Sequence, residues 1–395
     1  MATAVLDLEL TKLLPVINGL DAYQRALVLI RYKEKPIGKA FIPVINGCII
    51  TQHHYTDLVQ AAGSNLTDSL LDQYLDWQDF AAEQTAPGAT IAVCTRNRPD
   101  DLRRCLAALM NMPDDGQEFL VIDNCPSTDA TREIVALHKR IRYVLETRPG
   151  LNIARNRALL EASNEVVIFT DDDATPDINW LRKLVRNFNS PLVACVTGLT
   201  MPLELESDGQ EAFEKYSPFG KNFKRAVYSA AMHNPLSTGE IGAGANMALR
   251  RSVQKTVGLF DEALDAGTLT QSGGDHEFFT RILLAGYQIV YEPEALSWHR
   301  HRRTMEETEK AIKGYGIGVY AFWTRLLLME GELTILKFPW YWFKDIQFRN
   351  LVKALLGRKG SQPLSLVLAE LRGCCIGPFA YLKARRRLKN KEIIS

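Results

Sequence analysis

Short apolar runs alternate with segments of helical periodicity from residue 90 onward. The runs VVIFT (166–170) and LVACVTG (192–198) contain no charged residue. Runs of this kind are typical of strands that are buried on both faces of a mainly parallel sheet. Their alternation with helices predicts an α/β fold with a doubly wound mixed sheet. The other predicted elements are strands at 91–94, 119–122 and 142–145, and helices from about 99, at 153–162 and at 179–189.

The pattern before residue 88 is different and predicts a small N-terminal α+β extension. Two apolar segments flank a short turn, which is typical of a β-hairpin, and a helix and a linker with Pro and Gly follow. These elements are a strand at 26–32, a turn at 35–38, a strand at 40–45, a helix at 66–82 and a linker at 83–89.

The last 90 residues are helical and aromatic in pattern. Two long apolar segments, 314–329 and 364–382, flank the aromatic cluster FPWYWFKDI (338–346), and the basic segment ARRRLKNK (384–391) follows. Trp and Tyr beside Lys and Arg are enriched at membrane interfaces, and basic tails are attracted to anionic lipid. Two interpretations stay open: a peripheral membrane contact, or a helical cap that packs on the rest of the chain or on a second subunit.

Charge and composition narrow the class of protein. The formal net charge is +1, so no whole-molecule field attracts nucleic acid. The seven cysteines are scattered without a C-x-x-C pair, which favours reduced thiols in a cytoplasmic protein. The N-terminal segment is acidic where a signal peptide is basic, and no stretch of about 18 residues is apolar without a charge. We therefore expect a cytoplasmic protein, or one at the inner face of the cytoplasmic membrane.

Polar residues follow three of the predicted strands. Thr95 follows the first strand, Asp123 follows the second, and the run Asp171, Asp172 and Asp173 follows the fourth. Ligands of open α/β sheets bind beyond the carboxyl ends of the strands, so we expect these side chains near one ligand. The alternative is that these strand ends are simply solvated.

The three consecutive aspartates predict a metal site. Adjacent carboxylates repel one another, and a divalent cation would neutralise them. Oxygen ligands favour Mg²⁺ or Mn²⁺ over zinc, and such a cation often completes its shell with substrate phosphates. The run therefore indicates a diphosphate ligand. The alternative is an acidic helix cap ahead of Pro176.

Two further segments carry groups that would complete such a site. Arg155 precedes the aspartates and the basic cluster HRHRR (299–303) follows them, and the planar donors of arginine suit phosphate. A solvated basic patch is the alternative for the last two arginines of the cluster. Asp275 and Glu277 open a helix that Gly286 closes. Each carboxylate would act as a general base if it faces a cavity, and as a helix cap if it does not.

Together these segments resemble the family 2 glycosyltransferases, which are inverting enzymes with a nucleotide-binding fold of the GT-A type. The resemblance covers residues 90 to about 303 and depends on the order and spacing of its motifs. These are TIAVCTRNRPDDLRRCL, FLVIDNCPSTDAT, RPGLNIARNRAL, VVIFTDDDATPD, GAGANMALRR, LFDEAL, GGDHEFFTRILLAGY and YEPEALSWHRHR.

The resemblance implies a role for each matching residue. The nucleotide or donor is implied to contact Thr95, Arg98, Asp123, Arg155, Asp171, Asp172, Gly244, Asn246 and Arg302. The metal, Mg²⁺ or Mn²⁺, is implied to bind Asp171, Asp173 and His299. The implied catalytic base is Asp275. The family's Glu-Asp pair is Gly274-Asp275 here, so Glu277 is the fallback.

The implied reaction moves one sugar from a nucleotide-diphosphate sugar to an acceptor hydroxyl. The acceptor is a glycan, a lipid-linked molecule or a small molecule. A single transfer is expected because the Gln/Arg-x-x-Arg-Trp signature of processive synthases is absent after His301. One alternative is a nucleotidyltransferase of related fold, although TRNRPDD lacks the glycines that such an enzyme needs. Another is a non-catalytic scaffold that binds sugar nucleotides. The implied domains are an extension at 1–87, a catalytic domain at 88–305 and a helical, aromatic and basic region at 306–395.

Overall fold

The computed structural model describes residues 2–75, 87–220, 222–358 and 360–392. Its strands are β1 Thr3–Glu9, β2 Val16–Ile17, β3 Arg25–Tyr32, β4 Lys35–Pro43, β5 Ile49–Ile50, β6 Ala89–Thr95, β7 Glu118–Asn124, β8 Ile141–Glu146, β9 Val166–Asp171, β10 Ala174–Pro176, β11 Val193–Pro202, β12 Ala226–Tyr228, β13 Asn246–Arg250 and β14 Gln288–His299. Its α-helices are α1 Tyr55–Ala62, α2 Ser64–Tyr74, α3 Pro99–Met110, α4 Ala130–Ala136, α5 Leu151–Glu161, α6 Trp180–Val185, α7 Asp208–Tyr216, α8 Gln254–Val257, α9 Gly274–Leu284, α10 Met305–Met329, α11 Phe338–Trp342, α12 Phe348–Leu355 and α13 Leu364–Glu392.

A mixed sheet forms the centre of the molecule. Within the described residues its strand order is β10-β14-β11-β13-β9-β6-β7-β8, and β12 pairs with β14. Strands β6 to β9 are parallel, whereas β13 is antiparallel to both of its neighbours, β9 and β11. Helices α3, α4 and α6 pack on one face, and α5 and α9 pack on the other. The predicted doubly wound α/β fold with a mixed sheet is confirmed.

Burial on both faces explains the unbroken apolar runs. In β9, Ile168 packs toward α3 and α6, while Val167 and Phe169 pack toward α5 and α9. Side chains alternate across a strand, so a sheet that is covered on both faces needs an apolar residue at every position. The polar residues that follow such strands are therefore delivered together at the carboxyl edge of the sheet.

The predicted N-terminal hairpin is present, but its turn lies elsewhere. Strands β3 and β4 pair antiparallel, and residues 35–38 lie inside β4. The turn is formed by Lys33 and Glu34, both with positive φ (48° and 68°). Two such residues match the twist of a two-residue hairpin, although neither is the usual Asn or Gly. The predicted turn was wrong because Pro36 and Gly38 mark a strand here.

Two further features of the extension differ from the prediction or lie beyond the described residues. β1 was not predicted, and it pairs parallel with β3 to complete a three-stranded sheet. The helix predicted at 66–82 is α2 in its described part. Residues 76–82 of that helix, and most of the linker at 83–89, lie outside the described residues.

The C-terminal region is helical and built around two long helices. α10 and α13 pack closely through glycines: a Cβ on Gly373 would lie 2.2 Å from the Lys313 carbonyl oxygen, and one on Gly377 would lie 2.5 Å from the Ile317 carbonyl oxygen. By length and composition, Leu364–Asn390 is also apolar enough to cross a membrane, with a mean hydropathy of 1.3, but 50% of that apolar window is buried inside the protein. The division of the chain at residues 88 and 305 stays a prediction.

Candidate active site

Two cavities meet at the carboxyl edge of the sheet. The edge cavity, about 230 Å³, is lined by Thr95, Arg98 and the run of three aspartates, among others. The central cavity, about 370 Å³, is lined by groups from α5, α9, α10 and the end of β14. Asp171 and Arg302 line both cavities. A ligand that extends from one cavity into the other therefore passes these two side chains.

The sheet register brings the predicted strand-end residues together. In the ladder, Thr95 is the partner of Asp123, and Cys94 is the partner of Asp171. Thr95 Oγ1 donates to Asp172 Oδ2 at 2.7 Å. The next helix, α6, begins only at Trp180, so the aspartates do not form the acidic helix cap that was the alternative.

Arg98 links two of the three aspartates. Its Nη1 donates to Asp172 Oδ1 at 2.8 Å and to Asp173 Oδ2 at 2.7 Å. Arg98 follows a turn in which Asn97 adopts a positive φ of 56°. From this position its side chain contacts both carboxylates. Arg98 thus compensates part of the carboxylate charge from the side of the edge cavity.

Asp171, Asp173 and His299 form a candidate metal centre. One potential ligand atom from each lies within 4.8 Å of the others. His299 Nε2 is 3.0 Å from Asp173 Oδ1 and 3.8 Å from Asp171 Oδ2. The short strand β10 creates this arrangement, since it pairs antiparallel with the end of β14 and places Ala174 opposite His299. The two carboxylates are ligands that Mn²⁺ and Mg²⁺ prefer, and the imidazole of His299 is a further potential ligand.

Burial and charge at this centre fit a cation. Asp173 Oδ1 is buried and receives no well-aligned hydrogen bond from the described residues. Burial and the neighbouring Asp173 raise the pKa of Asp171, although His299, Arg155 and Arg98 oppose the rise. Burial and Asp173 also raise the pKa of Asp172 to about 7. The protein's own cations therefore do not compensate all three carboxylates, and a divalent ion would be electrostatically favoured here.

In contrast to Asp171 and Asp172, the pKa shifts of Asp173 and His299 favour the charged form of each side chain. Burial alone would raise the pKa of Asp173, but His299, Arg98 and Arg302 outweigh it and lower that pKa. Burial alone would lower the pKa of His299, but Asp173 and Asp171 raise it. Within the run, Asp173 is thus the carboxylate whose ionised form is best stabilised.

Asp275 is held at the start of α9 and lines the central cavity. Its Oδ2 accepts from the Gly244 backbone N–H at 2.9 Å, and its Oδ1 accepts from the His276 N–H at 2.9 Å. Burial opposes the charge, but His276, Arg155 and the two amides outweigh it and lower the pKa of Asp275. The carboxylate is therefore ionised and fixed in orientation.

Gly244 and Arg155 pack against this carboxylate. A Cβ on Gly244 would lie 2.7 Å from Arg155 Nη2 and 3.1 Å from Asp275 Cβ, so only glycine fits without displacing them. Arg155 is buried, and its Nη1 donates to Asp265 Oδ2 at 2.7 Å. Asp265 was not predicted; its non-glycine positive φ of 81° is visible only in the structure. Asp265 thus fixes the Arg155 guanidinium in place on the wall of the central cavity, which both residues line.

Three predicted residues line neither cavity, and two of them, Glu277 and Asn246, are buried among other elements of the fold. Glu277 is fully buried, and its carboxylate accepts from Arg281 Nε at 2.5 Å and lies 3.0 Å from Arg325 Nε. The Asn246 side chain accepts from Trp180 Nε1 and donates to the carbonyls of Leu199 and Ala295. Both groups hold elements together, and nothing in their geometry supports a direct contact with donor or acceptor.

Asp123 occupies an intermediate position. It is buried at the end of β7, and its Oδ2 accepts from Tyr143 Oη at 2.9 Å. Burial raises the pKa of this carboxyl. Its neighbour Asn124 lines the edge cavity. The structure thus places Asp123 at the predicted edge, next to the cavity and not on its lining.

Several lining residues were missed because they come from outside the motifs. Tyr315 and Trp342, from α10 and α11, line the central cavity. Tyr216 Oη donates to Glu370 Oε2 at 2.9 Å, and both residues also line it. The signal in the sequence was Glu370 itself, which is one of two charged residues, with Arg372, in the apolar segment 364–382.

Comparison with known proteins agrees with this geometry. Residues 90–258 match the family described as Glycosyl transferase family 2. The chain is 29% identical over 231 residues to the pre-mycofactocin glycosyltransferase of Mycobacterium tuberculosis, which covers 57% of this chain and 46% of that protein. It is 30% identical over 218 residues to the succinoglycan biosynthesis protein ExoM of Rhizobium meliloti, covering 52% of this chain and 64% of that protein.

Among solved structures, the mannosyltransferase PcManGT from Pyrobaculum calidifontis in complex with GDP-Man and Mn²⁺ has a TM-score of 0.47 and 19% identity, covering 79% of this chain and 81% of that one. The match to the pre-mycofactocin glycosyltransferase spans about half of that protein's length, 46%. The matched segment contains most of β6, all of β7 to β13, and the aspartate run. Residues 90–258 are therefore similar to the family 2 glycosyltransferases, and they contain most of the mixed sheet and the aspartate run.

Proposed function

We propose that this protein transfers one sugar, with inversion, from a nucleotide-diphosphate sugar to an acceptor hydroxyl. One observation carries the proposal: Asp171 lines both cavities, and Asp275 faces the central one. A donor whose diphosphate lies at Asp171 would have its nucleotide in the edge cavity and its sugar in the central cavity. The acceptor would then approach the sugar from the side of Asp275.

On the donor side, we assign the nucleotide to the edge cavity. Thr95, Arg98 and Asn124 line it, and Asp123 lies beside it. Asp171, Asp173 and His299 would hold a Mg²⁺ or Mn²⁺ ion, which would act as a Lewis acid toward the departing diphosphate. Arg302 is half-exposed, lines both cavities and has its Nη1 3.6 Å from Asp173 Oδ2, so it is available to bind phosphate oxygens.

On the acceptor side, we assign Asp275 as the general base. It takes the proton of the acceptor hydroxyl as that oxygen bonds to the anomeric carbon, and the bond to the diphosphate oxygen breaks with its electron pair on the leaving group. A single displacement inverts the anomeric centre. The two backbone hydrogen bonds hold the carboxylate in place, and its lowered pKa keeps it ionised at neutral pH.

The acceptor class and the location of the reaction are also proposals. Aromatic side chains on the wall of the central cavity, including Phe219, Tyr315 and Trp342, suit the apolar faces of a sugar ring. We propose a glycan, lipid-linked or small-molecule acceptor, a cytoplasmic location, and a peripheral contact of the C-terminal region with the inner face of the membrane.

Metal-dependent donor binding tests the proposal. A panel of nucleotide sugars should be screened by thermal unfolding with Mn²⁺ and with a chelator. A donor at about 100 times its Kd should stabilise the folded protein by about 2.7 kcal/mol with metal, and by much less without it. Asp173→Asn should remove the metal-dependent part, whereas the exposed, remote carboxylate change Asp72→Asn should not. Equal donor affinity with and without metal, measured by calorimetry, would falsify the metal assignment.

A further inference from the structure

Residues 333–358 expose a dense set of large apolar side chains. We name their exposed surface the aromatic platform; it comprises the 3₁₀ turn Leu333–Lys337, α11, the helical turn Phe343–Gln347, α12 and residues 356–358. Its large apolar side chains are 37% to 69% exposed: Leu333, Leu336, Trp340, Tyr341, Phe343, Ile346, Phe348, Leu355 and Leu356. Part of the set is contiguous, because the Phe343 ring lies 6.5 Å from that of Trp340 and 6.1 Å from that of Phe348. An exposed patch of neighbouring apolar side chains is typical of a site that contacts a membrane or another protein.

The platform is also basic. Its exposed cations are Lys337, Lys344, Arg349, Lys353 and Arg358. Asp345 is its one acidic residue, whereas the whole chain has a net charge of only +1. None of the five cations forms an ion pair with a residue in the described ranges. Arg386 and Arg387 extend the basic surface, because the end of α13 packs through Leu388 in the same cluster as Phe338.

The combination of aromatic and basic groups identifies the kind of partner. A second copy docked through the same surface would place like charges opposite one another across a two-fold axis. The cores of protein–protein interfaces are depleted in lysine, whereas Trp and Tyr with flanking Lys and Arg are typical of the boundary between lipid headgroups and acyl chains. The charge therefore favours an anionic bilayer over another protein.

The inner side of the platform is a wall of the central cavity. Trp342 lines that cavity, and its ring packs 5.9 Å from that of Tyr320 and 5.5 Å from that of Trp323. The adjacent residues Tyr341 and Phe343 are exposed on the outer side. Between a bilayer bound to the outer side and the lining of the cavity would thus lie only this helical segment.

We infer that the aromatic platform docks on an anionic lipid bilayer and places the wall of the central cavity at the membrane surface. This inference deepens the proposed peripheral contact and rests on it, but it does not depend on the proposed sugar transfer. Apolar side chains enter the headgroup boundary while the cations contact anionic headgroups. The contact is peripheral, since half of the apolar window in α13 is buried against the protein.

Vesicle cosedimentation of the full chain tests the inference. Wild type should bind vesicles of phosphatidylcholine with about 30% phosphatidylglycerol, which supplies an anionic surface, and should bind pure phosphatidylcholine far less. The triple change Lys344→Glu, Arg349→Glu and Lys353→Glu should weaken binding by roughly 100-fold or more, because each cation near an anionic surface contributes roughly a five-fold gain in affinity and the new carboxylates add repulsion. Trp340→Ser with Phe348→Ser should also weaken it strongly.

Control variants separate docking from general surface chemistry. Tyr74→Ser with Leu137→Ser removes two apolar side chains that are 86% and 79% exposed elsewhere, and should leave vesicle binding unchanged. Metal-dependent nucleotide binding and the thermal midpoint should be the same in all variants, which shows that each is folded. If folded wild type binds anionic vesicles but binds no nucleotide sugar with Mn²⁺, the proposed function fails and the docking inference stands.

Two outcomes would overturn the inference. Vesicle binding that is the same for wild type and the charge-reversed triple variant would remove the platform as the lipid contact. Failure of wild type to bind anionic vesicles, together with self-association in sedimentation velocity that Trp340→Ser with Phe348→Ser abolishes, would identify the platform as an interface between two copies.

Discussion

Asp275 and Glu277 lie two residues apart on the first turn of α9 and have opposite environments. Residues two apart on a helix point to different sides, so one faces the central cavity and the other faces the packed interior. Asp275 accepts two backbone hydrogen bonds at the cavity wall, whereas Glu277 is enclosed by Arg281 and Arg325. Apart from the family resemblance, which favours Asp275, helical periodicity cannot distinguish two carboxylates on the same turn, because the side that each faces depends on the rotation of the helix against the sheet.

The assignment of Asp275 predicts a selective loss of transfer. Asp275→Asn keeps the shape and an oxygen for the Gly244 N–H but removes the proton acceptor. We expect sugar transfer to fall by about 10²–10⁴-fold, with donor and metal affinity close to wild type. Measurement of initial rates and of donor affinity by calorimetry checks both parts. Wild-type rates in Asp275→Asn would leave this carboxylate only a role in fixing the backbone.

The pH dependence of transfer follows from the same environment. The pKa of Asp275 is lowered below its ordinary value of 3.8, so the base is ionised throughout the neutral range. Protonation of Asp275 on acidification should reduce the rate only below about pH 4, and no acid limb from this group should occur between pH 5 and 8. An acid limb centred near pH 6 that disappears in Asp275→Asn would contradict this environment.

Glu277→Gln should give a different result. It leaves the guanidinium groups of Arg281 and Arg325 buried beside a neutral partner, and breaking one side of a buried ion pair costs about 3–5 kcal/mol. We expect a lower free energy of unfolding in denaturant titrations, and near-normal transfer per folded molecule at low temperature. Loss of transfer with unchanged stability would move the base from Asp275 to Glu277.

At the scale of elements, the central strands β6, β7, β9 and β11 could be predicted from the sequence because both faces of each are buried. The strand that completes the metal centre could not be. β10 has only three residues, and its pairing with β14 is what brings His299 to Asp173. Long-range pairing of so short a segment leaves no periodic signal. The resemblance to the family gave His299 its role, and the register explains how the position is reached.

The residues of the C-terminal helices that line the central cavity could not be predicted, for a related reason. Their apolar segments were recognised, but the same pattern fits a membrane contact or a packed cap. The glycines of α10 and α13 decide the packing, since Gly316, Gly373 and Gly377 let the two backbones approach. That approach brings Glu370 to Tyr216 at the central cavity. A close helix crossing depends on both partners and cannot be read from either segment alone.

Gly373 tests the close crossing. Alanine is favoured over glycine in a helix by about 1 kcal/mol, so Gly373→Ala would stabilise an isolated α13. In the protein, its Cβ would lie 2.2 Å from the Lys313 carbonyl oxygen, and the helices must separate. Overpacking of this kind costs about 1–3 kcal/mol or more, so we expect a net loss of stability in chemical denaturation. Cys375→Ala, at an exposed position of the same helix, should change stability by less than about 0.5 kcal/mol. A Gly373→Ala variant as stable as wild type would show that the crossing is loose.

At the scale of the whole molecule, the N-terminal sheet is built onto the catalytic sheet. Leu27 and Leu29 of β3 are fully buried in one cluster with Leu199 and Leu296 of β11 and β14. Arg31 donates to Asp177 at 2.8 Å, next to β10 and the metal centre. β3 thus presents one face to its own small core and the other to the catalytic sheet. The boundary predicted near residue 88 separates segments of sequence that share a hydrophobic cluster.

A shared cluster predicts that the two sheets unfold together. Leu29→Ala removes a fully buried side chain from that cluster, and such changes cost about 2–5 kcal/mol, according to how far the site collapses. We expect calorimetry to show a single unfolding transition for wild type and for Leu29→Ala, at lower temperature in the variant. The transition stays single because the lost packing of Leu29 destabilises both sheets that share the cluster. Leu71→Ala is the matched control: Leu71 is 50% exposed on α2, so its truncation should cost well under 1 kcal/mol. The opposite outcome is that Leu29→Ala splits the transition in two. A first step would then occur at lower temperature, while the step that nucleotide and metal stabilise would not shift. In that case the N-terminal sheet folds independently, and its contact with the catalytic sheet contributes little to the stability of the site.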